Sequence, residues 1–165
     1  MENLSLSART PAPAWAVKHS PIHGQGIFAT RGILPDTVLV EYTGPKVLIA
    51  DIQQRNGQLV YWMAIDERWA IDGDNPENPA RFANHACDPN CDFEIADGRI
   101  FIVAREQIEA GEEITVDYGL GLEGLFQRKC TCGSTACIGY IVSEPYRPAA
   151  LRLLNQMRRK SRIKP

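Results

Sequence analysis

The sequence predicts a mostly β domain with few short helices and a C-terminal helix. Short stretches rich in β-branched and aromatic residues recur between Gly and Pro turns, which is the pattern of strands. The clearest helical spacing lies only at the end, where Pro148 opens a run with Ala150, Leu153, Leu154 and Met157 on one face. At 165 residues with 44% hydrophobic content, the chain suits one domain with a real core and hardly two. In order, Trp15 to Val17 and Gly26 to Ala29 form a hairpin around His23-Gly24-Gln25-Gly26. Val38 to Tyr42 alternates and is ended by Gly44-Pro45, and Leu48 to Asn56 is the best early helix. Trp69 to Ile71 and Arg99 to Val103 are β-rich, and Ile114 to Tyr118 is a strand opened by the Ala110-Gly111 turn. No internal repeat or low-complexity tract interrupts this order.

Composition removes several classes. No apolar run approaches the ~18 residues that a membrane span needs. The first fourteen residues lack a basic n-region followed by an apolar h-region, so they read as a flexible lead-in to a cytoplasmic or nuclear protein. Net charge is −2, but unevenly spread: from Pro145 onward there are seven basic residues and no acid, leaving 11 basic and 20 acidic residues, net −9. Asp66, Glu67, Asp72, Asp74 and Glu77 concentrate that acidity. From charge alone a plain solvated face is the preferred reading; the alternative is a surface that attracts a basic partner and repels nucleic acid.

The five cysteines say more. An odd count without a secretion signal argues against a disulfide framework. Cys130-Thr-Cys132-Gly-Ser-Thr-Ala-Cys137 gathers three thiols in eight residues around a Gly turn. Three thiolates can grip one tetrahedral zinc but lack a fourth ligand. Cys87, Cys91 or His85, from the stretch RFANHACDPNC at Arg81 to Cys91, can supply it.

The remaining motifs are weak singly. Gly24-x-Gly26 lacks the third glycine and following helix of a nucleotide fingerprint. Tyr118 alone reads as a core tyrosine with a wet hydroxyl. His85 alone reads as a structural histidine. Their order is what carries meaning. Gly24-x-Gly26, Glu41-Tyr42-Thr43-Gly44, Arg81-Phe82-Ala83-Asn84-His85-Ala86-Cys87-Asp88-Pro89-Asn90-Cys91, Gly111-Glu112-Glu113-Ile114-Thr115-Val116-Asp117-Tyr118-Gly119 and Cys130-x-Cys132-x4-Cys137 together resemble a SET-domain protein lysine methyltransferase with a post-SET zinc motif. The likeness spans roughly residues 15 to 141. Ala86 stands where serine is usual in that family.

The resemblance implies a β-rich SET fold with pseudoknot-like threading near Asn84. It divides the chain into a lead-in (1–14), a SET domain (15–125), a post-SET zinc segment (126–142) and a basic helical tail (143–165). It implies S-adenosylmethionine as cofactor, held by the His23, Gly24, Gln25 and Gly26 hairpin with Tyr61, Arg81, Asn84, His85 and Tyr118. One zinc is expected on Cys87, Cys130, Cys132 and Cys137, with Cys91 a spare buried thiol. Tyr118, assisted by Tyr42, is the expected catalytic residue. Tyr42, Phe93 and Val116 would line the substrate lysine channel. Neither Phe93 nor Val116 carries the hydroxyl found in members that stop at one methyl, so di- or trimethylation is implied. The partner is a lysine in a basic segment, as in a histone tail, and direct nucleic-acid binding is not expected. The C-terminal helix is expected to pack on the domain or to form a dimer. A zinc-stapled SET-like binding module without catalysis remains the alternative.

Overall fold

The computed structural model describes residues 12–54 and 61–162. The lead-in over 1–11, the end of the helix expected over 48–56, and Lys164 lie outside the described residues. Within them the architecture is strand-rich with one long helix at the C-terminal end, as the patterning predicts.

Strands β1 (Trp15–His19) and β2 (Gln25–Ala29) form the expected hairpin, paired from Trp15↔Ala29 to His19↔Gln25. Ser20 N–H closes its turn on Gly24 C=O at 2.9 Å. Strands β3 (Val38–Tyr42), β4 (Lys46–Leu48), the helix α1 (Ile49–Gln54), β5 (Trp62–Ala64) and β6 (Trp69–Asp72) follow. After a 3-10 turn at Pro79–Phe82 come β7 (Asn84–His85), β8 (Cys91–Ala96), β9 (Arg99–Ala104) and β10 (Glu113–Val116). The sheet orders are β1-β2-β10-β7, β3-β9-β8 and β4-β6-β5. In the first, β10 runs antiparallel to β2 and parallel to β7, pairing Thr115 with Asn84 and Val116 with His85. That pairing brings the Asn-His and Asp-Tyr blocks side by side.

The core lies between these sheets. Ile27, Ile100, Ile102, Ile108, Ile114 and Val116 are fully buried, and each such side chain contributes roughly 1.5–3 kcal/mol. A smaller cluster of Leu125, Val142 and Ala150 sits under the C-terminal segment.

Four strands lie outside the sequence expectation: β4, β5, β7 and β8. β8 alternates and is joined to β9 by Asp97-Gly98, both at positive φ, the sequence signal of a two-residue hairpin turn. The strand expected over Ile114 to Tyr118 ends at Val116, because Tyr118 N–H leaves the ladder for His85 Nδ1. The helix α2 (Arg147–Arg162) begins one residue before Pro148. Its expected apolar face is only half used. Ala150 and Leu154 are buried, whereas Leu153 and Met157 are exposed, because the cluster beneath is only a few residues wide.

Candidate functional site

A cavity of about 850 Å³ opens between the first sheet and the C-terminal segment, a size suited to a small-molecule ligand. Of the residues singled out from the sequence, His23, Gly24, Gln25, Tyr42, Tyr61, Arg81, Asn84, His85, Phe93, Tyr118 and Cys130 line it. Two do not. Gly26 is buried in β2, and Val116 is wholly buried in β10 with its side chain in the core. Gln127, Arg128, Lys129 and Thr131 also contribute to the wall and had no sequence signal.

One wall hangs on the sheet. Asn84, 7% exposed at the edge strand β7, points its amide nitrogen at His23 C=O (3.2 Å), Gln25 C=O (2.9 Å) and Glu113 Oε1 (2.8 Å). Three acceptors converge on a group with two hydrogens, a concentration of negative potential that suits a ligand cation. Asn90, from the same motif block, accepts Thr115 N–H at 2.9 Å and donates to Glu113 C=O at 2.9 Å. That bond pair ties the Asp-Pro-Asn turn to β10.

His85 links two functional groups. Its Nδ1 accepts the Tyr118 backbone N–H at 3.3 Å, which leaves the proton on Nε2, 3.6 Å from Cys87 Sγ. Burial holds its pKa below the usual imidazole value, partly opposed by the Asp117 carboxylate 3.7 Å away. The ring is neutral at pH 7. Tyr118 lies against it, ring centroids 5.3 Å apart, and donates its hydroxyl to Ala83 C=O at 3.1 Å. Although Tyr118 is 39% exposed, burial on its other side pushes the phenol up to about 12.

Tyr42 stands opposite, buried at the end of β3 and packed edge-on against Phe93 at 6.4 Å. Burial and the Asp72 charge raise its phenol further still. A Cβ at residue 73 would lie 2.3 Å from the Tyr42 hydroxyl, so only glycine fits there. Asn78, fully buried, fixes this corner by accepting Thr43 N–H at 3.2 Å and donating to Gly73 C=O at 3.1 Å. Arg81 stacks over the Tyr61 and Phe82 rings at 5.4 and 4.8 Å and pairs with Asp74 at 3.0 Å.

At the far end of the cavity Cys87, Cys130, Cys132 and Cys137 bring their sulfurs within 4.8 Å of one another. The Cys87 and Cys130 sulfurs are 3.9 Å apart. Metal–sulfur bonds of ~2.3 Å in a tetrahedron put sulfurs about 3.8 Å apart, so the four residues can hold a metal ion. Burial and the neighbouring thiols push Cys130 up to about 11 and Cys87 further. Cys91, by contrast, is fully buried in the strand core, where burial raises its thiol to about 12.

The chain matches the SET domain over residues 24–119. It is 38% identical to histone-lysine N-methyltransferase set-2 of Caenorhabditis elegans, over 74% of this chain and 9% of that protein. Identity is also 38% with the H3 lysine-4 specific histone-lysine N-methyltransferase of Aspergillus oryzae, over 74% and 11%. With histone-lysine N-methyltransferase trithorax of Drosophila melanogaster it is 34%, over 76% and 4%. The chain thus spans between 4% and 11% of the length of these curated relatives.

Proposed function

The chain belongs to the SET-domain family, and we propose that it is an S-adenosylmethionine-dependent protein-lysine N-methyltransferase acting on a histone. The observation that carries this reading is a single cavity in which Tyr118 stands between two walls. One is a cradle of convergent acceptors at His23, Gln25 and Asn84. The other is the aromatic corner of Tyr42 and Phe93. We assign residues 15–125 to the SET domain proper, 126–142 to a post-SET zinc segment, and the remainder to a basic tail.

Bound S-adenosylmethionine supplies a methyl group on a cationic sulfonium. The residues present fit it: the His23 and Gln25 carbonyl oxygens beside Asn84 favour a cationic ligand, and the Tyr61 ring and the Arg81 plane over it offer stacking surface. Zinc is assigned to Cys87, Cys130, Cys132 and Cys137, whose all-sulfur donor set suits a closed structural site. Its part is to tie the loop bearing Gln127 to Thr131 against the β7 end of the sheet.

The chemistry asks little of a protein base. A free lysine has a pKa near 10.4, so roughly one in two thousand is neutral at pH 7. The corner of buried Tyr42 and half-buried Phe93 disfavours an ammonium by desolvation and so shifts that balance toward the amine. Tyr118 stays protonated, because burial lifts its phenol to about 12, and its hydroxyl is anchored on Ala83 C=O. A fixed, neutral, weakly nucleophilic hydroxyl can align the reacting amine without being methylated itself. The acids at 66–77 favour a basic segment around the target lysine, in keeping with a histone tail and a nuclear setting. Among the described residues no helix is long and apolar enough to cross a membrane.

The test is incubation with isotopically labelled S-adenosylmethionine and recombinant histones, read by mass spectrometry. Labelled methyl-lysine is expected. Cofactor binding by calorimetry without any methyl transfer to histones would favour the noncatalytic binding module instead.

A further inference from the structure

Glu113 opens β10 and is no part of the cavity lining, yet its carboxylate touches both halves of the cradle. Oε1 accepts Ser20 Oγ–H at 2.7 Å, with Oε2 sharing that hydrogen at 2.8 Å, and Oε1 also accepts the Asn84 amide at 2.8 Å. Ser20, 2% exposed, passes the contact on: its Oγ accepts the backbone N–H of Ile22 at 2.9 Å and of His23 at 3.4 Å. Asn84 passes it on in the other direction, to His23 C=O and Gln25 C=O. The turn and Asn84 lie about sixty residues apart in sequence, and nothing local to either sets their relative position.

Gly26 completes the observation. A Cβ there would lie 2.3 Å from Glu113 Oε1 and 3.0 Å from Ser20 Cβ. The second glycine of the Gly-x-Gly pair is therefore explained by the passage of this carboxylate under the hairpin, and not by the approach of a ligand to the backbone.

Resting on the methyltransferase reading above, we propose that Glu113 is the positioning residue of the cofactor cradle, aiming the Asn84 amide and the 20–25 turn at one ligand. The physical ground is that a carboxylate offers only acceptors. Both groups facing it are donors, and charge-assisted bonds of this kind are roughly twice as strong as neutral ones. A glutamine that keeps an oxygen at the Oε1 position must present an N–H to Ser20 Oγ, whose lone pairs already accept the Ile22 and His23 N–H groups. The Ser20 arm then turns away, and the 20–25 turn loses its charge-assisted tie to Asn84. Glu113 does not touch the reacting atoms, so the loss falls on ligand binding and leaves the chemical step alone.

Three variants and two readouts decide it: calorimetric Kd for S-adenosylmethionine, and the split between KM for cofactor and kcat. Glu113→Gln is expected to raise Kd and cofactor KM about tenfold or more, with kcat at saturating cofactor within about twofold and peptide KM unchanged. Gly26→Ala, which removes no hydrogen-bonding group but displaces the carboxylate, is expected to do the same. Ser20→Ala, which cuts one arm, should raise Kd by a smaller factor and decides the matter if Glu113→Gln fails to fold. A folded Glu113→Gln protein, or failing it Ser20→Ala, that binds cofactor like the wild type overturns the positioning role, even if its Tm falls. Wild-type protein that binds no S-adenosylmethionine overturns the methyltransferase reading and this inference with it.

Discussion

The cavity wall formed by His23, Gln25, Asn84 and His85 hangs on strands, whereas the wall formed by Gln127 to Thr131 hangs on loops. Behind the first lie five fully buried isoleucines and a four-stranded ladder. Behind the second lie a single bridge between Lys129 and Tyr140, two 3-10 turns and the small cluster of Leu125, Val142 and Ala150. Apolar burial of roughly 1.5–3 kcal/mol per large side chain holds the strand wall many times over and the loop wall barely. A structural zinc, at ~10–16 kcal/mol apparent binding energy, exceeds all of the apolar burial on the loop side. With zinc bound as proposed, the four-thiol cluster does for one half of the site what the core does for the other, and the two halves should then fail separately.

The largest expected effect lies where the walls meet. Tyr118→Phe removes only the hydroxyl that donates to Ala83 C=O, leaving the ring against His85. Methyl transfer is expected to fall by at least ~100-fold, as for loss of one positioned donor, with cofactor Kd changed only severalfold. Wild-type turnover in this variant would show that the hydroxyl is a bystander. Tyr118 also bears on pH. Its folded pKa, raised to about 12, lies above its unfolded value of 10, so its contribution to stability is intact below pH 10 and lost between 10 and 12. The rate should keep rising to pH 10 as the substrate amine deprotonates, with no descending limb from this phenol. A fall setting in near pH 9 would contradict the assignment.

Metal removal should break the loop wall alone. Chelation is expected to abolish activity and expose residues 126–142 to proteolysis while the strand signal in circular dichroism persists. The two nearby cysteines turn this into a crossed test. Cys87→Ser should lose the metal, whereas Cys91→Ser should keep it but cost the core ~1–3 kcal/mol by burying a hydroxyl where a fully enclosed thiol packs. Loss of metal from Cys91→Ser, with retention in Cys87→Ser, would reverse the ligand set.

On the strand side, the aromatic corner is expected to set how many methyl groups fit. Phe93 lines the cavity against the Tyr42 ring and carries no hydroxyl, so the wild type is expected to give di- or trimethyl-lysine at long times. Phe93→Tyr should shift the product toward monomethyl-lysine, with the first transfer slowed no more than about threefold. Val116 lies in the core behind this corner, so a tyrosine there would first have to displace packed side chains. Monomethyl-lysine as the sole wild-type product under excess cofactor would refute this account of the channel.

What could be read from the sequence follows the same division. The hairpin at β1 and β2, the bounds of β3, and the position of β9 were plain because alternation and turn residues agree there. Most of the residues that line the cavity on this side were legible because motif blocks marked them in order. β8 was not, because Cys91 to Ala96 follows a block dense in reactive side chains that draws attention from its alternation and from Asp97-Gly98. Glu113 and Asn78 were invisible as organisers, because their partners (Ser20 and Asn84 for one, Thr43 and Gly73 for the other) meet only in three dimensions. Lys129 and its neighbours form a wall by virtue of loop packing, which has no period to read.

The smallest effects belong to α2, where the loop side ends. Sequence spacing grants Ala150, Leu153, Leu154 and Met157 one apolar face, but only Ala150 and Leu154 are covered. Leu154→Ala, at 9% exposure, is expected to cost about 2 kcal/mol, near the low end for a core leucine. Leu153→Ala and Met157→Ala, at 37% and 50% exposure, should each stay within ~0.5 kcal/mol by thermal melting. The same pair should leave the mass from light scattering unchanged, since both side chains stand exposed on this chain. If either costs as much as Leu154→Ala, or shifts the mass downward, then a second copy of the chain covers the outer half of the helix, and the loop wall draws stability from assembly as well as from its metal.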